Sequence, residues 1–105
     1  MKTIESKNQL NDFIHNQNVI AVFSADWCPD CRVIEPIIPE IEKAYPDFSF
    51  VEVDRDQFID LCQEYDVFGI PSFIAFKDGS EAGRFVSKDR KTKEEITAFM
   101  EEVSG

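Results

Sequence analysis

The chain has 105 residues, 43% of them hydrophobic, enough for one core and too few for a second, so residues 1–105 read as a single domain. Its 21 acidic against 11 basic residues give a net charge of −10, which repels nucleic acid and anionic lipid at long range and argues against both as partners. The longest unbroken apolar run, Val19 to Phe23, falls far short of the roughly 18 to 20 residues that cross a bilayer. Three cysteines, an odd count, behind a polar N-terminus point to a reducing, cytoplasmic setting.

In chain order, Lys2 to Ile4 suits a short strand. Ser6 and Gln9 then have capping-box spacing ahead of the helical apolar face Leu10, Phe13 and Ile14. Val19 to Ser24 is a continuous β-branched and aromatic run, as expected of a strand buried on both faces at the centre of a parallel sheet. Pro29 suits a first helical turn, and Val33, Ile34, Ile37, Ile38 and Ile41 carry an apolar face on to Tyr45. Pro36 and Pro39 each remove a bond from that helix, so a kinked but continuous helix is expected. Phe48 to Val53 is a further strand, followed by a short helix on which Phe58, Leu61, Cys62 and Tyr65 recur at helical spacing. Ser72 to Phe76 and Ala82 to Val86 flank Lys77-Asp78-Gly79-Ser80, a strong hairpin signal that makes the sheet mixed. Thr92 and Glu95 form a second capping box before Ile96, Phe99 and Met100 on a closing helix. The basic segment Arg84, Lys88, Arg90, Lys91 and Lys93 is either a solvated loop or a surface for an acidic partner.

The chemistry lies in Trp27-Cys28-Pro29-Asp30-Cys31. A strand, a short loop and a helix start place Cys28 where unpaired N–H groups favour a thiolate, the form of sulfur that attacks disulfides. Two intervening residues in a first helical turn bring the second sulfur within reach of the mixed disulfide formed by the first. Cys28 is thus read as the nucleophile and Cys31 as the resolving thiol, a spacing that in a βαβ context denotes redox chemistry. Zinc is the competing reading, since Cys28, Cys31, Cys62 and His15 add up to four ligands. Against it, Cys62 falls on an apolar helix face, as a small buried hydrophobe would, and His15 stands by itself near a polar helix end. No metal and no bound cofactor are expected.

Four local patterns carry a resemblance along nearly the whole chain: Phe23-Ser24-Ala25-Asp26-Trp27-Cys28, Pro36 five residues after the second cysteine, Gly69-Ile70-Pro71-Ser72, and Phe76-Lys77-Asp78-Gly79. In identity and spacing they resemble the thioredoxin family. The resemblance implies a thioredoxin fold: a central mixed sheet of about five strands flanked by about four helices. It implies a cis peptide before Pro71, and backbone groups at Gly69, Ile70 and Pro71 that pair with a substrate strand. Cys-Pro-Asp-Cys with Glu35-Pro36 is similar to the cytosolic thioredoxin-related proteins and to short thioredoxin-like proteins of low-GC Gram-positive bacteria. Those relatives imply reduction of small disulfides, and of mixed disulfides between proteins and low-molecular-weight thiols. Three positions depart from the family's pattern: its buried aspartate is Val22 here, its upstream tryptophan is Ser24, and its lysine on the next strand is Glu52.

The expected activity is that of a monomeric protein-disulfide reductase cycling Cys28 and Cys31 between dithiol and disulfide, drawing electrons from thioredoxin reductase or a small thiol. A non-enzymatic interaction module of the same fold is the alternative, and a disulfide-forming oxidase is disfavoured by the reducing setting. Trp27 is read as a lid and partner contact beside the sulfurs. Asp30 opposes a thiolate on Cys28, a unit charge about 7 Å away costing roughly 0.6 kcal/mol at ε 80 and 2.4 at ε 20. With Val22 unable to accept a proton, Glu52 is the candidate acceptor for Cys31, because it alternates with Phe48 and Phe50 toward the same partly buried layer.

Overall fold

A computed structural model describes residues 1–105 and shows ten elements. In chain order these are β1 (Lys2–Thr3), α1 (Lys7–Asn16), β2 (Asn18–Ser24), α2 (Pro29–Ile34), α3 (Ile38–Ala44), β3 (Phe48–Asp54), α4 (Ile59–Glu64), β4 (Ser72–Lys77), β5 (Ser80–Phe85) and α5 (Lys93–Ser104). The strands form one sheet in the order β1-β3-β2-β4-β5. β1, β3 and β2 run parallel, whereas β4 is antiparallel to β2 and β5 to β4. The sheet is therefore mixed and β2 is its middle strand, which is why all of Val19 to Ser24 is buried. Alternation along β2 divides the core in two. Val19, Ala21 and Phe23 face Leu10, Ile14, Leu61 and Cys62 from α1 and α4. Ile20 and Val22 face Ile34, Ile38, Ile41, Ile96 and Met100 from α2, α3 and α5.

Both caps use the predicted residues, with one difference. Thr92 and Glu95 complete a reciprocal capping box. Ser6 Oγ accepts from the Gln9 N–H, but the Gln9 side chain reaches the Glu5 N–H instead of that of Ser6.

The expected kinked helix is two helices, so the sheet carries five rather than four. Pro36 and Pro39 together delete two ladder bonds one turn apart, and residues 35–37 turn between α2 and α3 with Ile37 N–H bonded to Ile34 O at 2.9 Å. Glu35 and Ile37 keep helical dihedrals, so the apolar face carries on across the break. The hairpin is tighter than Ala82 to Val86 suggested. Asp78 and Gly79, at φ +54° and +82°, make a two-residue loop that pairs Lys77 with Ser80. The register then shifts opposite Ala75 and Phe76, leaving Ala82 without a partner.

Most charges of the basic segment are engaged within the chain, and of its five residues only Lys88 is exposed without an ion-pair partner. Arg84 pairs with Glu81, Arg90 with Asp30 and Lys93 with Glu40, while Lys91 is buried.

Candidate active site

The redox motif sits where β2 leaves the sheet. Cys28 caps α2 with extended dihedrals, and its Sγ accepts the Cys31 N–H at 3.2 Å. Pro29 at the first helical position has no N–H to leave unbonded. Both cysteines are nearly buried, at 4% and 6% exposure, in a small apolar cluster with Ala25, against which Ile70 packs. Both are free thiols. The Cys31 thiol is pushed up to about 12, first by burial and then by its hydrogen bond to Cys28; a backbone bond at Ala25 opposes the rise.

The Gly69–Pro71 loop forms the facing wall. The Ile70–Pro71 peptide is cis, and the Ile70 carbonyl oxygen lies 4.0 Å from Cys28 Sγ. Gly69 is required there by space: a Cβ at that position would stand 2.4 Å from the Ser87 carbonyl oxygen, so residues 87–88 press directly on the loop. Ser72 Oγ donates to the Gly69 carbonyl at 2.6 Å and fixes it from the other side.

Trp27, next to Cys28 in the chain, is largely exposed, at 60%. Its Nε1 donates to Asp56 Oδ2 at 2.7 Å, and the Arg55 guanidinium lies over the ring, 5.7 Å from its centroid. Phe68, 65% exposed, adds a second bare aromatic ring one residue before Gly69. Asp30 bonds Arg90 at 3.0 Å.

Glu52 reaches the site from β3. It is half-buried, pairs in register with Val22, and accepts hydroxyl hydrogen bonds from Ser24 at 2.7 Å and Thr3 at 2.9 Å. Glu52, Ser24, Val22 and Cys31 line a common cavity of about 30 Å³, which is room for a water. Cys62 and His15 lie apart from all of this. Cys62 is buried in the α1/α4 core, which pushes its thiol up, and His15 is exposed on α1, so the four zinc ligands weighed above are not brought together. The sequence does not point to Asp56 at all, and it shows Arg90 and Lys91 only as members of a basic segment remote from the cysteines. Asp56 and Arg90 lie 29 and 60 residues from the motif residues they bond, and nothing local announces such pairs. Lys91 looked like one more surface cation and is 1% exposed.

A parallel-to-mixed five-stranded sheet with a cysteine pair at the helix start after its central strand, faced by a proline loop, defines a thiol–disulfide oxidoreductase. The chain belongs to the thioredoxin family, whose model matches residues 2–102. It is 37% identical over 95 residues to a thioredoxin H-type of Picea mariana, covering 90% of this chain and 76% of that one. Against two further plant thioredoxins of the H type it spans 63% and 59% of their lengths. It is 36% identical to a thioredoxin of Mycoplasmoides gallisepticum, with 80% of this chain and 85% of that protein covered. Among solved structures it is similar to a thioredoxin of Nicotiana alata, with a TM-score of 0.80 and 28% identity over 96% of this chain and 90% of that one.

Proposed function

We propose that the chain is a reductant in which Cys28 attacks and Cys31 resolves. The observation that carries this order is the Cys31 N–H directed at Cys28 Sγ, which stabilises negative charge on the first sulfur and not on the second. Cys28 thiolate attacks one sulfur of a substrate disulfide, forming a mixed disulfide and releasing the other substrate sulfur as a thiolate. Cys31 then loses its proton and attacks Cys28 Sγ, expelling the second substrate thiolate and leaving a Cys28–Cys31 disulfide. Two electrons have passed to the substrate, and a reductase or a low-molecular-weight thiol returns them. No other redox group is needed for this balance.

The substrates are disulfide-bearing proteins, small disulfides, and mixed disulfides of proteins with low-molecular-weight thiols. The exposed Trp27 and Phe68 rings and the Gly69–Pro71 backbone supply contact area beside the sulfurs, suited to an extended segment. A cytoplasmic monomer is the setting that suits a dithiol which must be kept reduced. Glu52 is the proton acceptor for Cys31, through the cavity the two residues share with Ser24.

Incubation with an insulin-like disulfide substrate and mass mapping of the adducts tests the order of attack. Cys28→Ser abolishes reduction, whereas Cys31→Ser accumulates substrate on Cys28 as a stable mixed disulfide. A stable adduct on Cys31 in Cys28→Ser, with none on Cys28 in Cys31→Ser, reverses the roles. Equilibration in redox buffers of known potential, with and without thioredoxin reductase, identifies the electron donor.

A further inference from the structure

Asp30 lies between the two cysteines in the first turn of α2, so it puts a negative charge on the helix end that Cys28 caps. Three other acidic side chains around the motif have basic neighbours close in sequence: Asp26 and Glu35 face Arg32, and Asp56 faces Arg55. Asp30 instead meets Arg90, sixty residues away, whose Nε donates to Asp30 Oδ1 at 3.0 Å.

Arg90 is delivered by a fixed support. Its neighbour Lys91 is 1% exposed, and Nζ donates to the Ser87 carbonyl and hydroxyl, each at 3.1 Å, and to the Asp89 carbonyl at 3.0 Å. The Phe85 ring centroid lies 5.2 Å from the same ammonium. A buried charge with three oxygen acceptors holds those carbonyls inward, since releasing any of them would leave it unsatisfied. The held segment also presses on Gly69 through the Ser87 carbonyl. Residues 87–91 therefore touch both walls of the site, the cysteine helix through Arg90 and the substrate loop through Gly69.

We propose that Arg90 is a positioning residue of the redox site: carried on the Lys91-pinned segment, its guanidinium offsets the charge of Asp30 and keeps Cys28 reactive. This rests on the reading of Cys28 as the attacking sulfur. Pairing turns a lone charge into a dipole, whose field at a neighbouring sulfur falls off faster with distance. With Arg90 66% exposed and Asp30 30%, solvent screens the pair, so the effect is several-fold rather than orders of magnitude. Arg90 is tethered to the helix through Nε, so its influence on Cys28 depends on Asp30 being present to hold it.

The test is the rate at which iodoacetamide alkylates the reduced full-length protein at pH 7 and low salt, with the modified cysteine identified by peptide mass. Arg90→Gln slows Cys28 alkylation about threefold, Arg90→Lys retains most of the rate, and 0.5 M salt narrows the gap between wild type and Arg90→Gln. In an Asp30→Asn background the same Arg90→Gln change alters the rate by less than about 1.5-fold, the non-additivity expected of residues acting as a pair. Equal slowing by Arg90→Gln in both backgrounds, or none in either, overturns the proposal while leaving Cys28 as the attacking sulfur. First alkylation at Cys31 in the wild type overturns that assignment, and this proposal with it.

Discussion

Cys31 has the harder proton to lose. Burial, the largest cause of its rise to about 12, persists after Cys28 has entered a mixed disulfide, so the thiol form dominates at neutral pH. The sign follows directly: without a proton acceptor, resolution depends on the free thiolate and quickens about tenfold for each pH unit between 6 and 9. A carboxylate acting through the shared cavity removes that dependence. Wild-type resolution of a preformed Cys28 mixed disulfide should therefore be nearly flat with pH. Glu52→Gln should slow it about 10-fold at pH 7 and restore the steep slope, with little change in the first attack. Val22→Asp in that background should recover part of the rate, at some cost in stability for a buried carboxylate. Stopped-flow Trp27 fluorescence can follow both steps, and an unaltered pH profile in Glu52→Gln would sink the relay.

Among the elements, two glycines with different duties separate folding from function. Gly79 ends the β4–β5 turn at φ +82° with nothing near its missing side chain, so Gly79→Ala should cost about 1 kcal/mol in urea melts and leave disulfide reduction by the folded protein unaltered. Gly69 is crowded by the Ser87 backbone, which cannot yield as a side-chain tip would. Gly69→Ala should push the substrate loop away from Cys28 and lower kcat/KM by about tenfold or more, even where circular dichroism shows a folded chain. Equal losses of activity in the two variants would deny the loop that role.

Across the whole molecule the sheet is packed on both faces, and Phe73 on β4 is a fully buried ring between Phe85 and Phe99, each 6.3 Å away. Phe73→Ala should destabilise the fold by about 3–5 kcal/mol. That is a large share of the roughly 5–15 kcal/mol available to a domain of this size, enough to lower the urea midpoint severely. Val33, 46% exposed on α2, is the control, and Val33→Ala should stay within about 0.5 kcal/mol. A mild effect at Phe73 would mean that the α5-side core can collapse around the gap.

Local chemistry by itself determined most of the architecture. Periodicity located every strand and the two longest helices, the apolar run at Val19 placed β2 in the middle of the sheet, and Asp78-Gly79 and Thr92-Glu95 fixed a turn and a cap through backbone preferences that act over a few residues. The cysteine pair was equally legible, because its chemistry lies in a four-residue spacing. Whether Pro36 and Pro39 bend a helix or part it was not, since that depends on how two lost bonds combine with packing on β3. Glu52 was placed on the right face by strand alternation, yet its hydroxyl partners and the cavity it shares with Cys31 exist only once β1, β2 and β3 are in register. The basic segment shows the limit most plainly. Lys91 and Arg90 are adjacent cations in the chain, and folding buries one as a pin and delivers the other to Asp30, because burial and charge pairing are set by neighbours that sequence distance does not reveal.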